Sequence, residues 1–297
     1  MVIPSRFQRL IALVCGFCAL AAAGAASAGP AWWRVSDGRS EVWILGAPQV
    51  APRDFSWDTS ALERRLATAP TLIVGPQSKD KLQEAGLLFN GLVDLRSPTP
   101  MEATLPPALR QQFVATREAI GQGPRRYAGW KPAVAGVMLS GDYFKARDLQ
   151  PQLVESQVRK LARAKGIKEV PSGEFDPTAM IHSARTLNEP GQQTCLAASL
   201  HTLSVGADRM RDMAAGWARG EIQVIPLDSV DRACLAAAPG FSVLTEHAAA
   251  LESNAVAQAL SSSPHAVAIF DLRTIVMPGG VLERLRARGL QVSGPVG

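Results

Sequence analysis

The clearest β pattern in the chain falls between residues 32 and 45. Trp32-Trp33-Arg34-Val35 and Glu41-Val42-Trp43-Ile44-Leu45 are β-rich runs, and the intervening Ser36-Asp37-Gly38-Arg39-Ser40 contains an Asp-Gly turn signal. Together they predict a hairpin. From Ser60 the period becomes helical: Leu62, Leu66 and Ala67 recur at helix spacing, and Ser60 with Glu63 has the spacing of a capping box. Thr71-Leu72-Ile73-Val74 is an uninterrupted apolar run of strand length, the pattern of a strand buried on both faces.

From there to about residue 262 the pattern is mainly helical. Pro106-Pro107 opens one helix, with Leu109, Phe113 and Ile120 as its core positions. Lys131-Pro132 precedes a second, carrying Val134, Val137, Met138 and Leu139. Leu149 to Lys165 reads as one basic amphipathic helix, followed by a strand within Gly166 to Val170. A single long helix is predicted from Gln192 to Arg219, and shorter ones over Val230 to Ala238 and Ser242 to Leu260. Ala266-Val267-Ala268-Ile269-Phe270 reads as a strand. Gly279-Gly280 leads into a helix that stops at Gly289, and Leu290-Gln291-Val292 closes the chain as a strand. Strands at both ends with helices between predict an α/β fold, a central mixed sheet built from N- and C-terminal strands around a large helical middle. No short repeat or low-complexity linker divides residues 29–297, which read as a single domain.

The first 28 residues change where that domain is expected to work. Arg6 and Arg9 are followed by an uncharged run from Leu10 to Ala23, then by Ala26-Ser27-Ala28, small residues of the kind a signal peptidase reads. This predicts a cleavable signal peptide with cleavage near Ala28 and a periplasmic or secreted product. The alternative, a retained anchor, has the minimum length, but the second half of the run is Ala and Gly and no basic cluster follows it. Removing the segment takes away two arginines and no acids, so the formal charge of +5 falls to +3, too little to imply a nucleic-acid partner. It also removes two of the four cysteines. The pair that remains, Cys195 and Cys234, is read as a disulfide, as is usual for an even pair in an exported chain; two free thiols are the alternative.

Generic chemistry is sparse. There is no phosphate-binding Gly-Lys-Ser/Thr loop, no Gly-x-Ser-x-Gly, no His-Glu-x-x-His, and no Cys-x-x-Cys after residue 28. The four histidines, His182, His201, His247 and His265, are isolated from one another. His182 has the best functional claim, because it follows Glu174 and Asp176 across what reads as a loop region. The basic run from Arg159 to Lys165 reads as a solvated helix face, and the tryptophans of the hairpin as packing residues.

Several segments, taken in order, resemble the TraB/GumN family, relatives of the Tiki metalloproteases. Trp43-Ile44-Leu45-Gly46-Ala47-Pro48-Gln49 is similar to the hairpin ending in the first Gly-x-x-His motif of that family, and Thr71 to Gln77 to its second strand. Tyr143 to Val170 resembles its helix-then-strand segment, and Met213 to Glu221 its Trp-x-x-Gly-Asp signature. Ala266 to Val292 resembles the terminal block with the second Gly-x-x-His. The resemblance implies an α/β fold and a divalent metal held by two histidines and a strand-end glutamate, where it would activate water and polarise a carbonyl. At the matching positions this chain has Gln49, Gly75 and Thr274. The glycine of the first motif is Gly46, and that of the second is replaced by Asp271. An amide, a missing side chain and a hydroxyl are poor ligands for a hydrolytic metal. The expectation is therefore no metal cofactor, and a binding or regulatory module for an envelope protein or small ligand, with no membrane span once the signal is removed. The rival is a metal-dependent peptidase or hydrolase with a relocated site using Asp271, Glu174, Asp176 and His182.

Overall fold

The computed structural model describes residues 29–79 and 95–296; the expected signal peptide lies outside them. The predicted hairpin forms as β1 (Trp32–Ser36) and β2 (Glu41–Ala47). Its turn is closed by Asp37, whose Oδ1 accepts from the amides of Arg39 and Ser40 at 2.9 and 2.8 Å, while Gly38 takes the positive φ of 92°. β3 (Val50–Pro52) follows, then α1 (Ser60–Leu66), β4 (Thr71–Val74) and β5 (Gln77–Ser78). The start of α1 differs from the expected Ser60–Glu63 box. Asp58 Oδ1 accepts from the Ser60 amide, and Thr59 is bonded through its hydroxyl to the Glu63 carboxylate.

The helical middle comprises α2 (Met101–Thr104), α3 (Pro107–Ala119), α4 (Pro132–Ala146), β6 (Leu149–Pro151), α5 (Leu153–Ala164), β7 (Lys168–Pro171), β8 (Glu174–Phe175), α6 (Thr178–Thr186), α7 (Glu189–Ser204), α8 (Ala207–Ala218), α9 (Ser229–Ala237) and α10 (Glu246–Ser262). Three expectations need correction. Leu149 to Pro151 is a strand pairing antiparallel with β3, so α5 starts later than the amphipathic pattern implied. The long helix breaks between α7 and α8 at Gly206, whose φ of 84° no helix interior adopts. Val137 points to solvent at 69% exposure, and it is Leu139 on α4 that is buried. The basic run on α5 is a solvated face as expected, with Lys160, Arg163 and Lys165 exposed, and Arg159 and Arg163 both pair with Glu169 of β7, at 2.8 and 2.9 Å. The chain ends with β9 (His265–Asp271), α11 (Leu272–Val276), α12 (Val281–Ala287) and β10 (Gln291–Val296).

Chain ends and middle meet in one mixed six-stranded sheet of order β10-β1-β2-β9-β4-β7. β10, β1 and β2 are antiparallel neighbours, whereas β2, β9, β4 and β7 run parallel. Ala266 to Phe270 on β9 are all buried, so both sheet faces are covered, as parallel strands require. Leu62 and Leu66 of α1, Val154 and Val158 of α5, Val256 and Leu260 of α10 and Leu285 of α12 belong to this core. A second apolar cluster, with Phe113, Tyr127, Leu139, Leu200 and Met210, holds the helical middle together. Among the described residues no helix is long and apolar enough to cross a membrane.

The Cys195–Cys234 disulfide is formed, with Cα atoms 4.7 Å apart, and it staples α9 onto α7. Because it closes a loop of sequence separation 39, its removal in a Cys195→Ser/Cys234→Ser variant is expected to lower unfolding stability by about 2–4 kcal/mol. Urea unfolding measures this, and an unchanged midpoint would show that the bridge constrains nothing.

Candidate functional site

Parallel pairing in register places Ala47 at the end of β2 beside Asp271 at the end of β9. Ligand sites of open α/β sheets lie at such carboxyl ends. Gly46 is held there by packing. A Cβ would approach the Leu272 Cδ1 to 2.6 Å and the Trp33 Cζ3 to 3.0 Å, and its carbonyl accepts from the buried Trp217 indole N–H at 2.5 Å. Trp217, from the Met213–Glu221 segment, thereby anchors α8 to the strand end. Its ring packs edge-on against Trp57 at 5.2 Å.

Gln49, just past β2, lies near enough to Asp271 for its side chain to hold that carboxyl's pKa down against the larger effect of burial. Asp271 caps the short α11, its Oδ1 accepting from the Arg273 amide at 2.7 Å. One turn on, the Thr274 hydroxyl lies 2.9 Å from the Asp271 main-chain oxygen and 2.9 Å from Glu252 Oε2. On the far side, a Cβ built on Gly75 would stand 3.7 Å from Glu252 Oε1, an ordinary contact, so glycine is not required there by crowding. Gln49, Asp271, Thr274, Glu252 and Gly75 thus form one contiguous series. The three family ligand positions do converge, and Glu252, reaching in from α10, occupies the space between Gly75 and Thr274.

Glu252 is 3% exposed and Thr274 5%. Burial pushes the Glu252 carboxyl up to about 8, with the charges of Asp271 and Glu155 acting in the same direction and the Thr274 bond opposing. The hydrogen-bond geometry accommodates a protonated Glu252. A hydroxyl has one proton and an amide oxygen has none. Thr274 Oγ1 is placed to donate to the Glu252 carboxyl and to the Asp271 carbonyl, and a proton on Glu252 would let both contacts be complete. Burial thus favours the neutral acid at Glu252. Asp271, partly buried, is also raised chiefly by burial, against Arg273 beside it; Glu155 on α5 is raised by burial, against Arg159.

Neither Glu252 nor Glu155 was singled out from the sequence. The signal for Glu252 was present: it sits on the stripe of α10 that carries Ala248, Ala249 and Val256, all buried, where a carboxylate is out of place. The residues of the relocated-site reading are not assembled into a ligand set. Glu174 and Asp176 are exposed on β8 and the turn after it, with Asp176 Oδ1 accepting from the Thr178 amide at 2.8 Å, and His182 is exposed on α6. Among the described residues, one group has metal-ligating atoms all within 4.8 Å of one another. It is His201 of α7 with Asp228 and Asp231 at the start of α9, and it includes none of the family positions.

The donors at the family positions do not suit a hydrolytic metal. Burial favours the protonated form of Glu252, the Thr274 hydroxyl is engaged with it, and Gln49 offers only a neutral amide. Beside Gln49 runs a narrow groove lined by Val50, Met210, Met213, Ile225 and Leu272, with about 20 Å³ of space, room for little more than a water molecule.

Because Glu252 keeps its proton when folded and releases it near 4.5 when unfolded, the folded state binds the extra proton between those values. Stability is therefore fullest below about pH 4.5 as far as this group is concerned, and is lost as pH rises through about 8. Its slope is at most about 1.4 kcal/mol per pH unit. Glu252→Gln is expected to flatten the pH dependence of urea-unfolding stability between pH 5 and 8. An unchanged slope would show that Glu252 is ionised in the folded protein.

A family model described as the TraB/PrgY/gumN family matches residues 31–294. No curated protein and no solved structure matches the chain.

Proposed function

Since this chain belongs to the TraB/PrgY/gumN family, we propose that it is a member without the metal-dependent hydrolysis of that family, acting as a binding or regulatory module in the cell envelope. The observation that carries the reading is the Glu252–Thr274 hydrogen bond, which seals the space between Gly75 and Thr274 with a neutral acid. A carboxyl whose burial favours the protonated form is a poor metal ligand, since coordination requires the deprotonated carboxylate. The envelope location draws on the signal-peptide pattern of residues 1–28 and on the Cys195–Cys234 disulfide, a bond that persists in oxidising compartments.

A second reading, a metal-dependent peptidase or hydrolase with a relocated site, draws on the raised carboxyls of Glu155, Asp271 and Glu252, since catalytic acids and bases are tuned by burial in this way. Peptide hydrolysis by the purified protein separates the two. No hydrolysis is expected with added Mn²⁺, Co²⁺ or Zn²⁺. Chelator-sensitive hydrolysis lost on Asp271→Asn would establish the second reading instead.

A further inference from the structure

The opposite end of the β2–β9 pair carries a different constellation. Glu41 and His265 are the first paired residues, six positions and thus about 20 Å of strand before Ala47 and Asp271. Here Arg65, in the last turn of α1, lays its guanidinium over two indoles of the hairpin. Its central carbon lies 4.2 Å from the Trp32 ring centre and 4.1 Å from that of Trp43.

Two polar atoms of this stack are buried without a hydrogen-bond partner, Arg65 Nη1 and Trp32 Nε1. Both are donors, so what the stack lacks is an acceptor. Glu41 does not supply it. Its Oε2 is taken by Arg34 at 2.6 Å, and its Oε1 by the Trp43 indole at 3.2 Å and His265 Nδ1 at 3.3 Å. Burial lowers the Arg65 guanidinium to about 10, still charged at neutral pH. A half-buried cation with an orphaned donor is costly unless something pairs with it.

The stack borders a solvent-open pocket of about 210 Å³, lined by Trp43, Arg64, Arg65, Thr68 and His265. Arg64 forms no ion pair among the described residues, although Asp58 feels its charge. Two guanidinium groups and an imidazole therefore line a space below the size of an ordinary drug-sized site, beside the Thr68 hydroxyl, which donates to the Arg65 main-chain oxygen at 3.3 Å. That donor set exceeds what a carboxylate can accept and suits an oxyanion with three or four acceptor oxygens, which arginines bind in bidentate fashion.

We propose that this pocket binds a phosphate group, either as inorganic phosphate or as the phosphomonoester end of a larger molecule, with Arg65 fixed by the two indoles and Arg64 and Thr68 closing around the anion. The site is independent of the carboxyl-end cluster, so its presence or absence leaves the loss of hydrolysis untouched.

The test is titration of the full-length mature protein with inorganic phosphate at low salt, followed by calorimetry and by tryptophan fluorescence, since Trp43 lines the pocket and Trp32 lies under Arg65. Saturable binding is expected, weakened roughly tenfold or more in Arg64→Ala, the loss of one charge-assisted contact. Arg65→Met, which keeps the apolar packing on the indoles, should bind no phosphate while retaining the wild-type circular dichroism. Should Arg65→Met unfold, Arg64→Ala and Thr68→Ala on the exposed side of the pocket carry the test. Phosphatidic acid vesicles in phosphatidylcholine distinguish the source. Vesicle binding lost with Arg64→Ala identifies a lipid headgroup, and phosphate binding without vesicle binding identifies a soluble anion. Absence of saturable phosphate binding, or equal binding by wild type and the Arg64 and Thr68 variants, would overturn the proposal.

Discussion

The parallel pairing of β2 with β9 is the constraint on which both ends of the molecule depend. Its register runs from Glu41 opposite His265 to Ala47 opposite Asp271. A slip of one residue would turn the buried side chains of either strand to the opposite face, and would separate Gln49 from Asp271 as well as Glu41 from His265. The pair joins segments more than two hundred residues apart, so it forms only when the helical middle has folded back on the sheet. The indole of Trp217, bonded to the Gly46 carbonyl across 171 positions, and the disulfide between α7 and α9 tie that middle down.

Within that frame the carboxyl end is organised around a buried carboxyl, Glu252. Taking an ionised carboxylate out of water costs several kcal/mol even after relaxation, whereas binding a proton avoids most of that cost. Burial favours the second course for Glu252, whose carboxyl is hydrogen-bonded to the Thr274 hydroxyl, itself 2.9 Å from the Asp271 carbonyl. A glutamate on the strand at position 75 would point toward the same space, and Gly75 leaves it free. The replacement is thus internally consistent: residues that would have served as ligands are absent, and what fills their place is satisfied by its neighbours.

Much of the scaffold could be read from the chain because its signals are local. The Asp37-Gly38 turn with aromatic and β-branched flanks, the apolar run at Thr71 to Val74 and the lone pair of cysteines each have few alternative readings. The break at Gly206 escaped because Leu203 and Met210, on either side of it, continue the helical period, and a single glycine does not reveal its φ. Leu149 to Pro151 merged into the α5 pattern because three residues are too few to show a period of two. The family positions Gln49, Gly75 and Thr274 were legible as departures, and the structure brings them together. Their meaning was not legible, because it lies in Glu252, whose partner is 22 positions away and whose burial depends on the packing of α10 on α11.

The claim that the site is sealed by a neutral acid is tested most directly by infrared difference spectroscopy of wild type against Glu252→Gln at pH 7. The account predicts a carbonyl stretch of a protonated, hydrogen-bonded carboxylic acid in the wild type that vanishes in the variant and shifts on Thr274→Val. A difference spectrum showing only the loss of carboxylate bands would mean that Glu252 is ionised and free to serve as a ligand, and would contradict it.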